Sequence, residues 1–171
     1  MGKRIIILGE VDEFLKKFCN YLISKDIEIY LALRKNKDLY NLDEIEGKIS
    51  IIKYSDELEE VKFLLKSIEP EIIYNLYGLI SKSDLNELIE KFFLKNILLL
   101  EALKTSNSIK FINLVERIEK DKNEVPLNLY TAIIDSFNKV NLYYRDSYNV
   151  ETITKYRDEY ENIISNFKKY I

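Results

Sequence analysis

Segments typical of buried strands alternate with segments typical of amphipathic helices along the whole chain. The strand segments are short apolar or β-branched runs, as expected when helices cover both faces of a sheet. Strict alternation predicts an α/β fold with a doubly wound parallel sheet in three α/β/α layers. The predicted strands are Arg4–Leu8, Glu28–Leu33, Ile49–Lys53, Ile72–Leu76, Lys110–Leu114 and Val150–Lys155. The predicted helices are Glu13–Ser24, Leu58–Ile68, Asp84–Leu103, Leu127–Arg145 and Asp158–Tyr170.

The composition excludes several kinds of site and partner. The 171 residues suit one domain, 1–171, and contain no histidine, which excludes Ser-His-Asp triads and His-ligated metals. The one cysteine, Cys19, excludes an intramolecular disulfide and a cysteine-based metal cluster. A net charge of −3 gives no electrostatic case for nucleic acid or an anionic membrane. Short apolar runs and the lack of an apolar leader predict a cytoplasmic protein.

The link between the first strand and the first helix has the layout of a phosphate-binding turn. Gly9 ends the strand and the helix begins a few residues later. Such turns use glycines so that backbone N–H groups at the helix N-terminus can approach a pyrophosphate. The whole chain has four glycines, where an average composition of about 7% gives roughly twelve. The frame of the turn is therefore present without its usual glycines.

Four segments in the middle of the chain carry a resemblance to a known family. They are Glu69–Leu76, Ile80–Asp84, Leu98–Ala102 and Lys110–Ile112. With the order of elements, they resemble the extended short-chain dehydrogenase/reductase family, which includes NAD(P)-dependent sugar-nucleotide epimerases and dehydratases. The resemblance covers about residues 3–157 and implies a Rossmann-like cofactor domain. The C-terminal substrate domain of the family is expected to be absent.

The family's phosphate turn reads G-x-x-G-x-x-G, and the three slots here hold Gly9, Asp12 and Leu15. We expect Asp12 to cap the helix with its own carboxylate. That carboxylate would stand where a pyrophosphate binds, and two like charges ~4 Å apart repel by about 4 kcal/mol at an effective dielectric near 20. Leu15 replaces the glycine that allows close packing of helix and strand. These slots, with Gly9 and Arg34 as cofactor-binding candidates, are expected to be vestigial.

The resemblance places Tyr130 in the tyrosine slot of the catalytic Tyr-x-x-x-Lys pair, whereas Ile134 occupies the lysine slot. Val115, Glu116 and Arg117 stand where the family has a catalytic Ser or Thr. Without the lysine, Tyr130 is expected to keep a pKa of about 10 and to be a poor acid–base at neutral pH. Tyr130 is the one catalytic candidate, and a purely structural role competes with it.

Other cofactor positions are mixed. Arg34 follows the second strand, where the family places an arginine for the 2′-phosphate of NADP, but a solvated basic loop with Lys35 and Lys37 is the favoured interpretation. Asp56 is close to an adenine-contacting slot but out of register, and Tyr77 would crowd the cofactor. The charged runs 56–60 and 116–124 allow a two-carboxylate hydrolytic or metal site, although a solvated surface is favoured and no metal is expected.

These residues predict a non-catalytic relative of the epimerases and dehydratases that serves as a binding or protein-interaction module with no cofactor. One alternative is an NAD(P)-dependent sugar-nucleotide epimerase, dehydratase or reductase. A second alternative is a protein that binds another nucleotide or small ligand at the carboxyl ends of the strands.

In the family, two helices pair with their copies to form a four-helix dimer interface. The corresponding segments here are Leu85–Leu103 and Leu127–Arg145. Apolar stripes that include Phe92 and Phe137 predict more apolar surface than the sheet needs. The resemblance therefore implies a homodimer, or a heterodimer with a catalytically intact relative, in which both phenylalanines lie at the interface. The alternative is that both helices face the core and the sheet is large enough to bury them.

Overall fold

The computed structural model describes residues 3–25, 27–34, 45, 47–79, 86, 88–106, 108–116 and 129–167. In this part of the chain, six parallel strands form one sheet in the order β3-β2-β1-β4-β5-β6, which confirms the predicted Rossmann-like α/β class. The strands are β1 Arg4–Leu8, β2 Glu28–Arg34, β3 Ser50–Tyr54, β4 Ile72–Gly78, β5 Lys110–Val115 and β6 Thr152–Tyr156. The helices are α1 Glu13–Ile23, α2 Leu58–Ile68, α3 Lys95–Leu103, α4 Leu129–Tyr148 and α5 Arg157–Phe167, and a π-helical segment, Leu88–Leu94, leads into α3.

The sheet separates two hydrophobic cores, because successive side chains of a strand point to opposite faces. On one face, α2, α3 and α4 pack over Ile6, Ile73 and Phe111. On the other face, α1 and α5 pack over Ile7 and Leu31. The central strands are buried on both faces, which explains why they read as continuous apolar runs.

The predicted element bounds agree with the structure except at several ends. The largest shift among the described ends is that of α4, which was expected to end at Arg145 and continues to Tyr148, and the sixth strand begins at Thr152 rather than at Val150. Asn149 has a φ of 55° in the left-handed region, and its N–H donates to the carbonyl of Arg145 at 3.0 Å, so it ends α4. Val150 then packs into the core from this turn, and β6 begins two residues later, at Thr152. The predicted helix starts at Asp84 and Leu127 lie outside the described residues.

The strand order reverses between β1 and β4, and ligands of open α/β sheets bind at the carboxyl ends of the strands beside such a reversal. Residues far apart in sequence meet at this edge. Gly9 follows β1, Arg34 ends β2, Asp56 follows β3, Gly78 ends β4 and Glu116 follows β5. The sheet topology therefore brings most of the predicted site positions to one edge.

Candidate functional site

Asp12 is the N-cap of α1, as predicted from its position. Its Oδ1 atom accepts a hydrogen bond from the backbone N–H of Leu15 at 2.7 Å, and its carbonyl accepts from Lys16 N at 3.1 Å. The cap occupies an amide donor that a phosphate-binding turn would offer to its ligand. The side chain of Leu15 is completely buried between α1, to which it belongs, and the sheet, so it cannot move out of the core at low cost.

Gly9 is required by the packing of the sheet. A Cβ atom at this position would stand 2.9 Å from the Cβ atom of Leu76 on the neighbouring strand β4. The close approach of β1 and β4 thus explains this glycine without a ligand. Gly78 is held in the same way, since a Cβ atom there would lie 2.5 Å from the carbonyl oxygen of Leu114.

The hydroxyl group of Tyr130 makes two hydrogen bonds to the backbone, one as a donor and one as an acceptor. It donates to the carbonyl oxygen of Gly78 at 2.7 Å and accepts from the N–H of Glu116 at 2.9 Å. Burial raises the pKa of Tyr130 to about 12, so the expected value of about 10 was wrong. The sequence argument considered only the missing lysine and could not include the loss of solvent around the phenol.

Ile134, one turn after Tyr130, is buried in the same core as Phe137. The lysine slot of the resemblance therefore contributes packing to α4. In the slot for a catalytic Ser or Thr, Val115 is also buried. Glu116 forms an ion pair with Arg157, in which Oε1 of Glu116 lies 2.9 Å from Nη1 of Arg157. Arg117 lies outside the described residues.

Arg34 does not lie in a solvated loop, contrary to our expectation. It is the last residue of β2, and 15% of its side chain is exposed. Its Nε atom lies 3.2 Å from Oδ2 of Asp56, and its guanidinium stacks 4.4 Å from the ring centre of Tyr77. Lys95 approaches the same carboxylate at 3.1 Å. The predicted basic partners Lys35 and Lys37 lie outside the described residues.

We call Arg34, Asp56, Tyr77 and Lys95 the edge cluster. Asp56 is bound by two cations here, so its part of the 56–60 run is not the solvated surface that we expected. The Tyr77 side chain is buried. Burial raises the pKa of Tyr77, so this ring is neutral at ordinary pH. Sequence reasoning missed Lys95, because no local signal pairs a helix residue with an acid 39 positions earlier.

A second feature that the sequence analysis missed is a buried amide cluster. Asn75 Nδ2 donates to Asn96 Oδ1 at 2.5 Å and to Asn113 Oδ1 at 2.8 Å. Its own Oδ1 atom accepts from the N–H of Tyr77 at 3.2 Å. The pairing of β4 with β5 shifts register between Asn75 and Gly78. The Asn75 side chain therefore accepts the hydrogen bond of the Tyr77 N–H in place of a carbonyl oxygen of the neighbouring strand.

The two phenylalanines expected at a dimer interface are core residues, so that expectation was wrong. Phe92 and Phe137 are both fully buried, and their ring centres lie 5.0 Å apart. Both side chains point from their helices toward the sheet, and the core on that side is deep enough to enclose them. Among the described residues of the two segments, the large apolar side chains that are exposed are instead Ile89, Leu94, Leu142 and Tyr143.

Two further absences concern only the part of the chain that the structure describes. No group of three or more His, Cys, Asp or Glu side chains there could hold a metal ion. No helix in the same ranges is both long and apolar enough to cross a bilayer.

Solved structures with a similar arrangement of elements include sugar-nucleotide enzymes. A dTDP-glucose 4,6-dehydratase from Bacillus anthracis, in complex with NAD, matches 91% of this chain with a TM-score of 0.68 and 17% identity. The chain shares its fold with sugar-nucleotide epimerases and dehydratases. A UDP-glucose 4-epimerase from Thermus thermophilus, also with NAD, matches 88% with a TM-score of 0.67 and 15% identity.

A third similar structure is the UDP-N-acetylglucosamine 4-epimerase from Methanobrevibacter ruminantium in complex with UDP-N-acetylmuramic acid. It matches 90% of this chain with a TM-score of 0.66 and 16% identity. The chain spans about half of each of these enzymes, between 53% and 54% of their lengths. No protein-family model matches the chain, and no curated protein matches it in sequence. The resemblance to the extended short-chain dehydrogenase/reductases is therefore confirmed as a likeness of fold.

Proposed function

We propose that this chain is a non-catalytic relative of the sugar-nucleotide epimerases and dehydratases, acting as a binding or protein-interaction module. The observation that carries the proposal is the binding of Tyr130 by Gly78 and Glu116. A catalytic acid–base must reach the reacting group of a substrate with a pKa near the working pH. The Tyr130 hydroxyl is held by the backbone, its pKa is raised to about 12, and Ile134 supplies no charge to lower it.

The residues of the turn do not fit a dinucleotide bound as the family binds it. The N–H of Leu15 already donates to Asp12, and the carboxylate adds a negative charge at the helix N-terminus. At the neighbouring edge, the guanidinium of Arg34 is paired with Asp56, which also binds Lys95, and is stacked on Tyr77. An arginine in this state is a weak donor to a 2′-phosphate, because binding would first have to break the ion pair.

The alternative is an NAD(P)-dependent sugar-nucleotide epimerase, dehydratase or reductase, and the NAD complexes of the similar enzymes support it. Calorimetric titration with NAD, NADH, NADP and NADPH separates the two. The proposal expects no saturable binding with a dissociation constant below about 10 µM, because the Leu15 amide and the Arg34 guanidinium are already bound within the protein. A tighter constant for any of the four would refute it and support the alternative.

Thermal shift gives an independent reading of the same titration. A ligand at 100 times its dissociation constant adds about 2.7 kcal/mol to the free energy of unfolding, which is easily measured as a shift in Tm. ATP and UDP-glucose belong in the same series, because binding of either would support a different nucleotide ligand at the carboxyl ends of the strands. If none of the six compounds changes the Tm of the protein, the result agrees with a module that binds none of them.

We further propose that the module forms a homodimer. Its interface would consist of the outer faces of three elements: the π-helical segment, α3 and α4. Ile89, Leu94, Leu142 and Tyr143 support this proposal, because between 40% and 55% of each side chain is exposed. Large apolar side chains exposed together on neighbouring helices are typical of surfaces that another protein covers. A catalytically intact relative in place of the second copy is the alternative partner.

A further inference from the structure

We propose that the outer edge of β6 binds an extended segment of a partner protein, which joins the sheet as an additional strand. β6 is the last strand in the order β3-β2-β1-β4-β5-β6, and among the described residues no strand pairs with its outer side. Unpaired backbone N–H and C=O groups at the edge of a sheet can pair with a strand of another chain. This inference rests on the proposed role as a protein-interaction module and names the class of partner.

The hydrogen bonds between β5 and β6 determine which residues of β6 point outward. In a parallel ladder, successive residues of a strand direct their backbone groups to opposite sides. Phe111 N donates to Glu151 O at 2.8 Å, and Phe111 is in register with Thr152. The backbone of Ile153 therefore pairs with β5, like the carbonyl group of Glu151. The N–H and C=O groups of Thr152 and Thr154 point to the free side.

The side chains of the same two threonines are held on the α4 face of the sheet. Thr152 Oγ1 donates to Asn141 Oδ1 at 3.0 Å, and Thr154 Oγ1 donates to Asn138 Oδ1 at 2.6 Å. These bonds fix the strand in its extended form before a partner binds. Less conformational entropy is lost on binding when one of the two strands is already ordered.

β6 lacks the usual protection of an edge strand. Proteins protect such edges with proline, β-bulges or lysine side chains. The five residues of β6 contain no proline, and their register with β5 is regular throughout. The lysine of β6, Lys155, is bound to Glu159 at 3.0 Å, whereas the lysine at the corresponding place in the other terminal strand, Lys53 of β3, is exposed. Of the two terminal strands, β6 is therefore better suited to pairing.

The open stretch is short, which limits the kind of partner. Beyond it, Tyr156 N donates to Glu159 Oε1 at 3.2 Å, and before it, Val150 N donates to Tyr144 O at 3.4 Å. The two threonines between them offer one N–H and one C=O group each. Stable complexes of two folded proteins usually bury about 1,200–2,000 Å², and so short an edge covers only a small part of that area. The edge therefore fits an extended segment better than a second folded copy of the chain.

The side chains of β6 specify the chemistry of the segment. In antiparallel pairing, two residues that face each other across the strands exchange both of their hydrogen bonds. A segment with β-branched residues opposite Thr152, Ile153 and Thr154 gives favourable cross-strand pairs. A basic residue opposite Glu151 and an acidic residue opposite Lys155 avoid like-charge repulsion. Both charged side chains are already ion-paired within the chain, so these charges select the partner without adding much attraction.

The sequence of β6 itself meets this description when it runs in the opposite direction. In a peptide of residues 150–156 that pairs antiparallel about Ile153, Thr154 lies opposite Thr152 and Lys155 lies opposite Glu151. This peptide, with acetyl and amide ends, is the probe and is titrated against the ¹⁵N-labelled full chain. We expect saturable binding with a dissociation constant of about 1 mM or below, the range of a weak and transient complex.

A control peptide tests whether the backbone carries the binding. It has N-methyl groups on both threonine amides, so its side chains are unchanged but two donors are lost, and we expect it to bind at least about fivefold more weakly. With the unmodified peptide, the amide signals of Thr152 and Thr154 should shift and exchange more slowly with solvent, whereas those of β3 stay unchanged. Lack of saturation at about 5 mM, equal binding of the methylated peptide, or shifts confined to another surface would each overturn the proposal.

A second copy of the chain is the competing occupant of this edge. If two chains pair here, the amide signals of Thr152 and Thr154 shift when the protein alone is concentrated, and that result would overturn the assignment to a separate partner. Constant signals of these two residues support the assignment. Dinucleotide binding would refute the proposed function without changing the peptide titration, and a failed peptide titration leaves the dinucleotide result as it stands, so the two failures are distinguishable.

A substitution in β6 then tests the outward N–H of Thr154. Thr154→Pro removes this donor, and proline is tolerated on the free side of an edge strand because no ladder hydrogen bond is lost. Thr154→Val is the matched control, since it removes the same hydroxyl group and keeps the N–H. We expect the proline variant to bind the peptide at least about fivefold more weakly and the valine variant to change affinity by less than about twofold. Circular dichroism verifies that both variants fold, and equal affinities of the folded variants contradict the proposal. If the proline variant does not fold, the methylated peptide tests the same pairing from the side of the partner.

Discussion

The Tyr130 hydroxyl donates to the carbonyl oxygen of Gly78 at 2.7 Å, where the pairing of β4 and β5 is irregular. The register of the two strands shifts between Asn75 and Gly78, which leaves backbone groups without ladder partners. Tyr130 satisfies Gly78 O and Glu116 N, and Asn75 Oδ1 satisfies Tyr77 N. The residue in the family's catalytic slot thus joins α4 to the ends of two strands.

Removal of this hydroxyl should destabilise the protein. Tyr130→Phe leaves two backbone groups unsatisfied in a buried site, and we expect a loss of about 1–3 kcal/mol in the free energy of unfolding. Urea denaturation followed by circular dichroism measures it. Tyr30→Phe is the matched control, since its hydroxyl donates to Glu28 at the exposed surface and the change should alter stability by less than about 0.5 kcal/mol. An equally small effect at Tyr130 would show that the two hydrogen bonds contribute little.

The same hydroxyl predicts a loss of stability at alkaline pH. Burial raises the pKa of Tyr130 to about 12 in the folded protein, above the ordinary value near 10 of the unfolded chain. The stabilisation is therefore fully present below pH 10 and is lost as the pH rises toward 12. The stability difference between wild type and Tyr130→Phe should shrink between about pH 10 and about pH 12. A constant difference over that interval would contradict the assigned burial effect.

Asp12 allows the cap and its charge to be separated. Asp12→Ala should cost about 1 kcal/mol of stability, because the N–H of Leu15 loses its acceptor, whereas Asp12→Ser keeps a capping oxygen and should cost less. If the carboxylate is the main obstacle to a pyrophosphate, Asp12→Gly should gain measurable NAD affinity in calorimetry. No gain would assign the obstacle to Tyr77 and the edge cluster. Leu15→Gly is unsuitable as a partner change, because Leu15 is fully buried and its loss creates a cavity.

The dimer proposal predicts a mass of about twice the 20.4 kDa of the chain in light scattering at micromolar concentration. Leu94→Glu together with Leu142→Glu should convert it to a monomer without unfolding, because both side chains are already about half exposed. Phe63→Glu is the control, since Phe63 on α2 is 72% exposed but lies outside the proposed surface. A wild type of monomeric mass would reject the homodimer and leave the heteromeric partner.

The sequence by itself determined the class of the fold and the order of its strands and helices along the chain. Continuous apolar runs such as Ile5–Leu8 and Ile72–Leu76 indicate strands whose two faces are both covered by helices. Because these strands alternate with amphipathic helices along the chain, they are connected as parallel strands. The cap at Asp12 was equally predictable, since its donor lies three residues away. These features depend on local spacing, which a sequence displays directly.

Tertiary structure decided the state of the candidate site. The acceptor of Tyr130 lies 52 residues away, and the ion pair of Arg34 with Asp56 joins separate strand ends. Burial of Phe92 and Phe137 depends on the depth of the core. Hydrogen-bond partners, desolvation and exposure are properties of the assembled sheet and helices, so periodicity could place these residues on their elements but could not assign what they contact.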